Sequence, residues 1–265
     1  MNALREHFVT LNGHKCRIWE KGQGEPLGFL AGYGGLSRWS EFLDELAKTR
    51  HLIAPSLPGF PGATGHDELD SHLDWIVATG ELLNAAGLAG ADLVGVSIGA
   101  ALAAEVGAMW PNSLRSLTLV GPLGLCDPAR PVADLWAQRP GQIANLLCAE
   151  PARFARHVAP PQGADPAEWA IMQIRASEAG ARLLWPLGDT RLERRLRRII
   201  CPTLLVWGAA DQVVPPDYAT AFSSSLGGKS EICLIPGAGH LADLDAPEYL
   251  ARHVIDFCQR AAKPH

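Results

Sequence analysis

Residues Gly95-Val96-Ser97-Ile98-Gly99 constrain this chain more than any other stretch. An apolar run, Leu93-Val94-Gly95-Val96, leads in, and a small-residue run over 100–109 leads out. The pattern predicts a strand, a sharp turn and a helix, with Ser97 at the apex. A serine there is expected to adopt a strained conformation with positive φ, and glycines two before and two after leave room for strand and helix to cross closely. The turn lifts the hydroxyl clear of the backbone. It also sets the serine at a helix N-terminus, where free N–H groups and the dipole favour developing negative charge.

The rest of the chain repeats the strand–helix rhythm. Runs over 7–11 and 15–20 flank Asn12-Gly13, a hairpin signal. Short apolar strands are predicted over 27–31, 51–54, 92–96, 114–120, 203–207 and 231–235. Helical spacing appears over 40–47, 73–86, after Ser97, over 192–200 (basic and amphipathic), 218–226 and 247–261. Strands alternating with helices imply a mostly parallel sheet covered on both faces. Between 125 and 190 the rhythm breaks: Pro, Arg, Ala and Trp abound, helical patterns persist and no strand is evident. That block reads as an inserted helical cap. The expected organisation is a core from 1–124 and 191–265, with a cap at 125–190.

The 265 residues suit one large α/β domain, or one domain with an insertion. A net charge of −5 argues against nucleic acid as the main partner, since phosphate binding needs a basic face. No run approaches the roughly 20 apolar residues of a membrane-spanning helix. Residues 1–20 carry charges throughout and show no signal-peptide core, so a cytoplasmic location is expected, with no membrane partner. The six cysteines (Cys16, Cys126, Cys148, Cys201, Cys233, Cys258) show no CxxC spacing, which speaks against a zinc site or redox dithiol. They read as reduced thiols packed as small hydrophobes. No metal and no organic cofactor is expected.

A serine hydroxyl is a poor nucleophile at neutral pH; it needs a base, and the base needs an orienting acid. Asp211 follows the strand at 203–207 through Gly208-Ala209-Ala210, and His240 follows the last strand through Pro236-Gly237-Ala238-Gly239. Catalytic groups of open α/β sheets gather beyond the carboxyl ends of the strands, and Ser97, Asp211 and His240 each stand there. Plainer readings remain beside these. Ser97 can serve as a helix cap, His240 can bond a loop carbonyl, and Asp211 can cap the segment after it. Asp127, after the sixth strand, is the alternative acid.

Several motifs together resemble the α/β-hydrolase fold superfamily, in its serine-nucleophile branch of esterases and carbon–carbon hydrolases with a helical cap. Gly95 to Gly99 matches the nucleophile elbow. Leu205-Val206-Trp207-Gly208-Ala209-Ala210-Asp211, then Val214-Pro215, matches the acid loop. Gly237-Ala238-Gly239-His240 matches the histidine loop, and Pro58-Gly59-Phe60-Pro61-Gly62 the loop after the fourth strand. The resemblance runs over essentially the whole chain. It implies a mostly parallel eight-stranded sheet with helices on both faces and an inserted helical cap. It implies Ser97 as nucleophile, His240 as general base and acid, and Asp211 as orienter of His240. It implies an oxyanion hole from the backbone N–H groups of Tyr33 and Ile98, with Gly32 and Gly34 allowing close approach. Losing one donor in a comparable site costs roughly 3–4 kcal/mol.

The chain departs from its relatives at several points. The third-strand loop begins Ala31-Gly32 where relatives often have His-Gly, and Ser56 stands where Asp is common. Carbon–carbon hydrolases of ring-cleavage products often carry Trp after the histidine and a carboxylate-holding arginine in the cap. Here Leu241 and Glu168 fall at those positions, with Arg175 one or two turns on. Dehalogenases and epoxide hydrolases of this fold use an aspartate nucleophile, which Ser97 argues against. Trp136, Trp169 and Trp185, with Arg175 and Leu241, are candidate pocket residues, although cap packing serves the tryptophans equally. The arginines at 191, 194, 195, 197 and 198 read as a solvated helix face.

The resulting expectation is a serine hydrolase of a small, largely apolar carboxylic ester, thioester or lactone, acting through an acyl-enzyme. Its partner would be a small-molecule acyl substrate, with a homodimer left open. Alternatives are carbon–carbon hydrolysis of a vinylogous diketone, a cofactor-free lyase, and a non-catalytic ligand receptor on the same fold.

Overall fold

Asn12 and Gly13 both take positive φ, 47° and 85°, the geometry a tight two-residue hairpin demands. They join β1 (Arg5–Leu11) to β2 (His14–Lys21). A computed structural model of the chain describes residues 3–139 and 141–262. The strands β3 (Pro26–Leu30), β4 (His51–Pro55), β5 (Asp92–Val96), β6 (Ser116–Val120), β7 (Thr203–Gly208) and β8 (Ser230–Ile235) complete an eight-stranded sheet. Its order is β1-β2-β4-β3-β5-β6-β7-β8. The pairs β1/β2 and β2/β4 are antiparallel and the rest are parallel. Every residue of β5, β6 and β7 is buried, as expected of central parallel strands covered on both faces.

The helices are α1 (Glu41–Ala47), α2 (His72–Ala85), α3 (Ser97–Met109), α4 (Ile143–Leu147), α5 (Pro151–Val158), α6 (Pro166–Leu184), α7 (Leu192–Leu196), α8 (Tyr218–Ser225), α9 (Ala242–Asp245) and α10 (Pro247–Ala261). Side-chain caps start several of them. Ser40 accepts from the Leu43 amide, Ser71 forms a capping box with Asp74, and Asp165 accepts from the Ala167 and Glu168 amides. Helix α1 packs on α10, while α2, α3, α7 and α8 pack in succession, so two helical layers sandwich the sheet. Trp75, Trp207, Phe29, Phe42 and Phe222 are the largest fully buried side chains of the core between these layers.

Helix α7 stops at Leu196, four residues short of the segment predicted at 192–200. Tertiary bonds take over: Ile199 O accepts from Gly228 N at 2.8 Å, and Arg198 Nε donates to Ala108 O at 2.7 Å. Nor are the arginines here only a solvated face. Arg195 Nε reaches Oε2 of the buried Glu105 on α3 at 2.7 Å, and His72 Nε2 lies 3.1 Å from Oε1 of the same carboxylate. Burial pulls the Glu105 carboxyl up, but the bonds from His72 and Arg195 outweigh it and hold the group below its ordinary range.

Candidate active site

The turn after β5 is as tight as the Gly-x-Ser-x-Gly pattern requires. Ser97 has φ 52°, a left-handed conformation that costs a non-glycine residue about 1–2 kcal/mol. A Cβ on Gly99 would sit 2.4 Å from Leu30 O, and one on Gly95 would sit 2.6 Å from Ala100 Cα. Side chains at either place would push β5, β3 and α3 apart. Ser97 is the first residue of α3, so its hydroxyl and the Ile98 amide lie in the first turn, where the helix presents unpaired N–H groups.

β7 and β8 bring the other two groups to the same end of the sheet. His240 Nε2 lies 2.7 Å from Ser97 Oγ, and His240 Nδ1 lies 2.9 Å from Asp211 Oδ2. An ionised carboxylate only accepts, so Nδ1–H donates to Asp211 and Nε2 turns its lone pair to the serine hydroxyl. The second oxygen, Asp211 Oδ1, accepts from Val213 N at 2.8 Å and Val214 N at 2.9 Å. The carboxylate is therefore held from both sides. Ser97 and His240 are 0 % exposed. Asp127 lies elsewhere: its oxygens accept from Ala129 N at 2.9 Å and Arg130 Nε at 3.0 Å in an exposed turn. The acid that bonds His240 is Asp211.

The loop after β3 crosses directly above the serine. A Cβ on Gly32 would meet Ser97 Cβ at 3.2 Å and Leu241 Cδ2 at 3.0 Å. Gly35 N donates to Gly32 O at 2.9 Å, closing a turn that has Tyr33 and Gly34 (φ 80°) at its centre. Arg17, at the heart of the neighbouring loops, donates from Nη2 to Leu36 O at 2.6 Å, Pro61 O at 3.0 Å and Ser56 Oγ at 3.2 Å. Ser56, where relatives often carry Asp, thus offers this arginine a neutral acceptor. Burial lowers the guanidinium to about 10.

Aromatic groups gather around Tyr33. The Tyr33 ring lies 6.2 Å from Trp136 and 6.3 Å from Phe154, and its hydroxyl is 3.5 Å from Ser177 Oγ. Burial raises the Tyr33 phenol above its ordinary range. On α6, a Cβ at Gly180 would come within 3.1 Å of both Ile98 Cδ1 and Trp136 Cζ2, so this helix lies on the residue after Ser97. Trp136 donates to Ser177 O at 3.0 Å. Trp169 instead ties α6 to the end of α5, donating to Val158 O at 2.8 Å. Two residues expected in the pocket lie at the surface. Trp185 is 55 % exposed and donates to Asp134 Oδ2 at 3.1 Å, and Arg175 is exposed on α6. The indole finds its acceptor outside, and the helical repeat turns Arg175 away from the Ala176–Gly180 stripe that packs inward.

Sequence reasoning missed Gly121, where a Cβ would meet His240 Nδ1 at 3.2 Å, and Phe154, Ser177 and Gly180. Gly121 alone carried a local signal, a glycine directly after the last residue of β6; the others join the site only through the packing of 143–184. Among the described residues, no three His, Cys, Asp or Glu side chains are grouped as a metal site. No helix of the described residues is long and apolar enough to cross a membrane.

The arrangement offers a hydroxyl aligned with a base, a base aligned with an acid, and helix-end amides beside both. Comparison with known proteins identifies the family. The sequence pattern of the Alpha/beta hydrolase family matches residues 28–253. The chain is 24% identical over 265 residues to the 2-hydroxymuconate semialdehyde hydrolase of Pseudomonas sp. (strain CF600), covering 96% of this chain and 93% of that protein. It is 27% identical over 269 residues to the dihydrolipoyllysine-residue acetyltransferase component of an acetoin cleaving system from Pseudomonas putida, covering 95% of this chain and 69% of that one. Among solved structures, a membrane phospholipase A superposes with a TM-score of 0.78 at 23% identity, over 98% of this chain and 87% of the other. The chain is a hydrolase-fold protein and belongs to the Alpha/beta hydrolase family.

Proposed function

We propose that this protein is a serine hydrolase that cleaves a small, largely apolar carboxylic ester, thioester or lactone. The observation that carries the reading is the buried hydrogen-bonded series Ser97–His240–Asp211, with spacings of 2.7 Å and 2.9 Å. Ser97 Oγ attacks the acyl carbon while His240 Nε2 takes its proton. Asp211 stabilises the imidazolium so formed. The acyl oxygen, now an oxyanion, rests on the backbone N–H groups of Tyr33 and Ile98. His240 then protonates the leaving group, giving the acyl-enzyme. A water molecule, deprotonated by His240, releases the acid and restores Ser97.

Helices 143–184 supply the roof and act as a cap over the serine. Trp136, Phe154, Gly180 and Leu241 around Ser97 are uncharged, and Tyr33 and Ser177 offer only hydroxyls, which suits an apolar acyl chain. Carbon–carbon hydrolysis of a vinylogous diketone is the second reading, favoured by the similarity to 2-hydroxymuconate semialdehyde hydrolase. The exposed position of Arg175 and the uncharged roof weigh towards the ester.

The test is intact-protein mass after exposure to a fluorophosphonate, beside an ester assay. Wild type should gain one adduct. Ser97→Ala should gain none, stay folded and lose turnover by about 10⁴–10⁶-fold. Ester turnover retained by purified Ser97→Ala would overturn the assignment.

A further inference from the structure

The strip 147–153 is stitched to the loop that carries His240. Leu241 N donates to Leu147 O at 2.7 Å. Arg153 Nη1 donates to Leu244 O at 3.2 Å. Between these bonds one carboxylate gathers three amides. Asp245 Oδ2 accepts from Gly239 N at 2.8 Å and from Ala149 N at 2.8 Å, and Oδ1 accepts from Glu150 N at 3.4 Å. The two backbones nearly touch: a Cβ on Gly239 would come 2.7 Å from Ala149 N and 3.0 Å from Cys148 C.

Asp245 is the last residue of α9, and its side chain leaves that helix to serve two turns. A charge-assisted bond to an amide is about twice as strong as a neutral one, so the carboxylate is a firm anchor. Gly239 directly precedes His240. Fixing its N–H fixes the plane of the Ala238–Gly239 peptide, so only the rotations of Gly239 separate that anchored plane from the peptide that enters His240.

Taking His240 as the base proposed above, we infer that Asp245 is a positioning residue for it. Asp245 holds the backbone before the histidine, and through the same oxygen it holds the cap strip at 149. The imidazole is therefore aligned between Ser97 and Asp211 only while that strip is seated on the loop. The seating of the cap and the alignment of the base are one event, with Asp245 as the joint.

The test compares fluorophosphonate labelling of the full chain as wild type, Asp245→Asn, Asp245→Ala and Ser97→Ala at 25 °C, with each Tm recorded. The asparagine oxygen still accepts from both Gly239 and Ala149; alanine accepts from neither. Misplacement of a catalytic group by about 1 Å costs on the order of 100-fold. Asp245→Ala should therefore label with a maximal rate lowered about 10- to 100-fold and an unchanged half-saturating reagent concentration. Asp245→Asn should stay within about threefold of wild type. A merely structural role would lower Tm without this rate-against-binding split and without rescue by asparagine. Wild-type rates in folded Asp245→Ala would overturn the inference, as would an equal loss in Asp245→Asn. Failure of wild type to label, or labelling of Ser97→Ala, would instead overturn the serine hydrolase reading. Should Asp245→Ala not fold, amide exchange of wild type decides: protection of Gly239 and Ala149 to a common level supports the joint, and exchange at free-loop rates refutes it.

Discussion

Gly121 follows the last residue of β6 with φ 50°, and its N–H donates to Val206 O at 2.9 Å. A Cβ there would meet His240 Nδ1 at 3.2 Å, Asp211 Oδ2 at 3.3 Å and His240 Cε1 at 3.3 Å. The first two are the atoms that share the histidine–aspartate hydrogen bond. Contacts this short fall below the 3.5–4.0 Å of ordinary packing. Asp211 is pinned by two amides through its other oxygen, so His240 must yield by a few tenths of an ångström. Gly121→Ala therefore carries two costs. The left-handed backbone costs alanine about 1–2 kcal/mol, which lowers Tm by roughly 2–8 °C at 2–4 °C per kcal/mol. The displaced imidazole weakens, without abolishing, its bond to the acid. Loss of the acid's function in a serine protease costs about 10⁴ in kcat, so a strained bond should cost about 10- to 100-fold. The assay is steady-state hydrolysis of a p-nitrophenyl ester, with KM expected to hold steady while kcat falls. Gly107→Ala is the control: it lies inside α3, and a Cβ there has no neighbour nearer than 3.6 Å. That variant should keep full activity and a Tm equal to or above that of wild type. Wild-type kcat in Gly121→Ala, or a loss confined to KM, would show that the imidazole is not displaced.

Two further perturbations test groups that the chemistry does not use. Burial, helped by the charge of Asp245, raises the Asp243 carboxyl to about 7, and its Oδ1 has no hydrogen-bond partner among the described residues. The folded protein then keeps a proton that the unfolded chain releases, so its stability falls as pH rises from about 4 to about 7 and levels off above. Asp243→Asn should flatten that slope and gain at most about 4 kcal/mol at pH 8, read by urea unfolding across pH; an unaltered slope would sink the account. Arg195→Ala removes one of two partners of the buried Glu105, leaving His72 at 3.1 Å. Stripping a buried charge of a partner costs about 3 kcal/mol, so Tm should drop by roughly 6–12 °C, with fluorophosphonate labelling at 25 °C unchanged. A Tm within about 2 °C of wild type would refute that estimate.

The parts of this protein that depend on neighbouring residues were legible in the chain itself. Alternation, helical spacing and turn residues are local physics, so the hairpin at Asn12-Gly13, the elbow at Ser97 and helix α10 over Pro247–Ala261 could be read directly. The sequence alone also put Ser97, Asp211 and His240 just past strand ends, because each follows an apolar run with a glycine-rich turn. Which of these groups touch is a matter of strand order. β7 lies beside β6 and β8, and only that arrangement hands His240 to Asp211 while leaving Asp127 to Arg130. Helix α7 ends early because Gly228 and Ala108 take up its groups, which no periodicity reveals. Trp185 and Arg175 share a composition with pocket residues but face outward, since a helix side is chosen by what it packs against. Gly121 and Asp245 act across 119 residues or through backbone amides, and neither distance in sequence nor backbone donors leave a mark in residue type. Local propensity thus determined the elements and the chemical groups at their ends; long-range pairing of the strands and seating of 143–184 decided which groups meet, because only tertiary packing brings such distant segments within bonding distance.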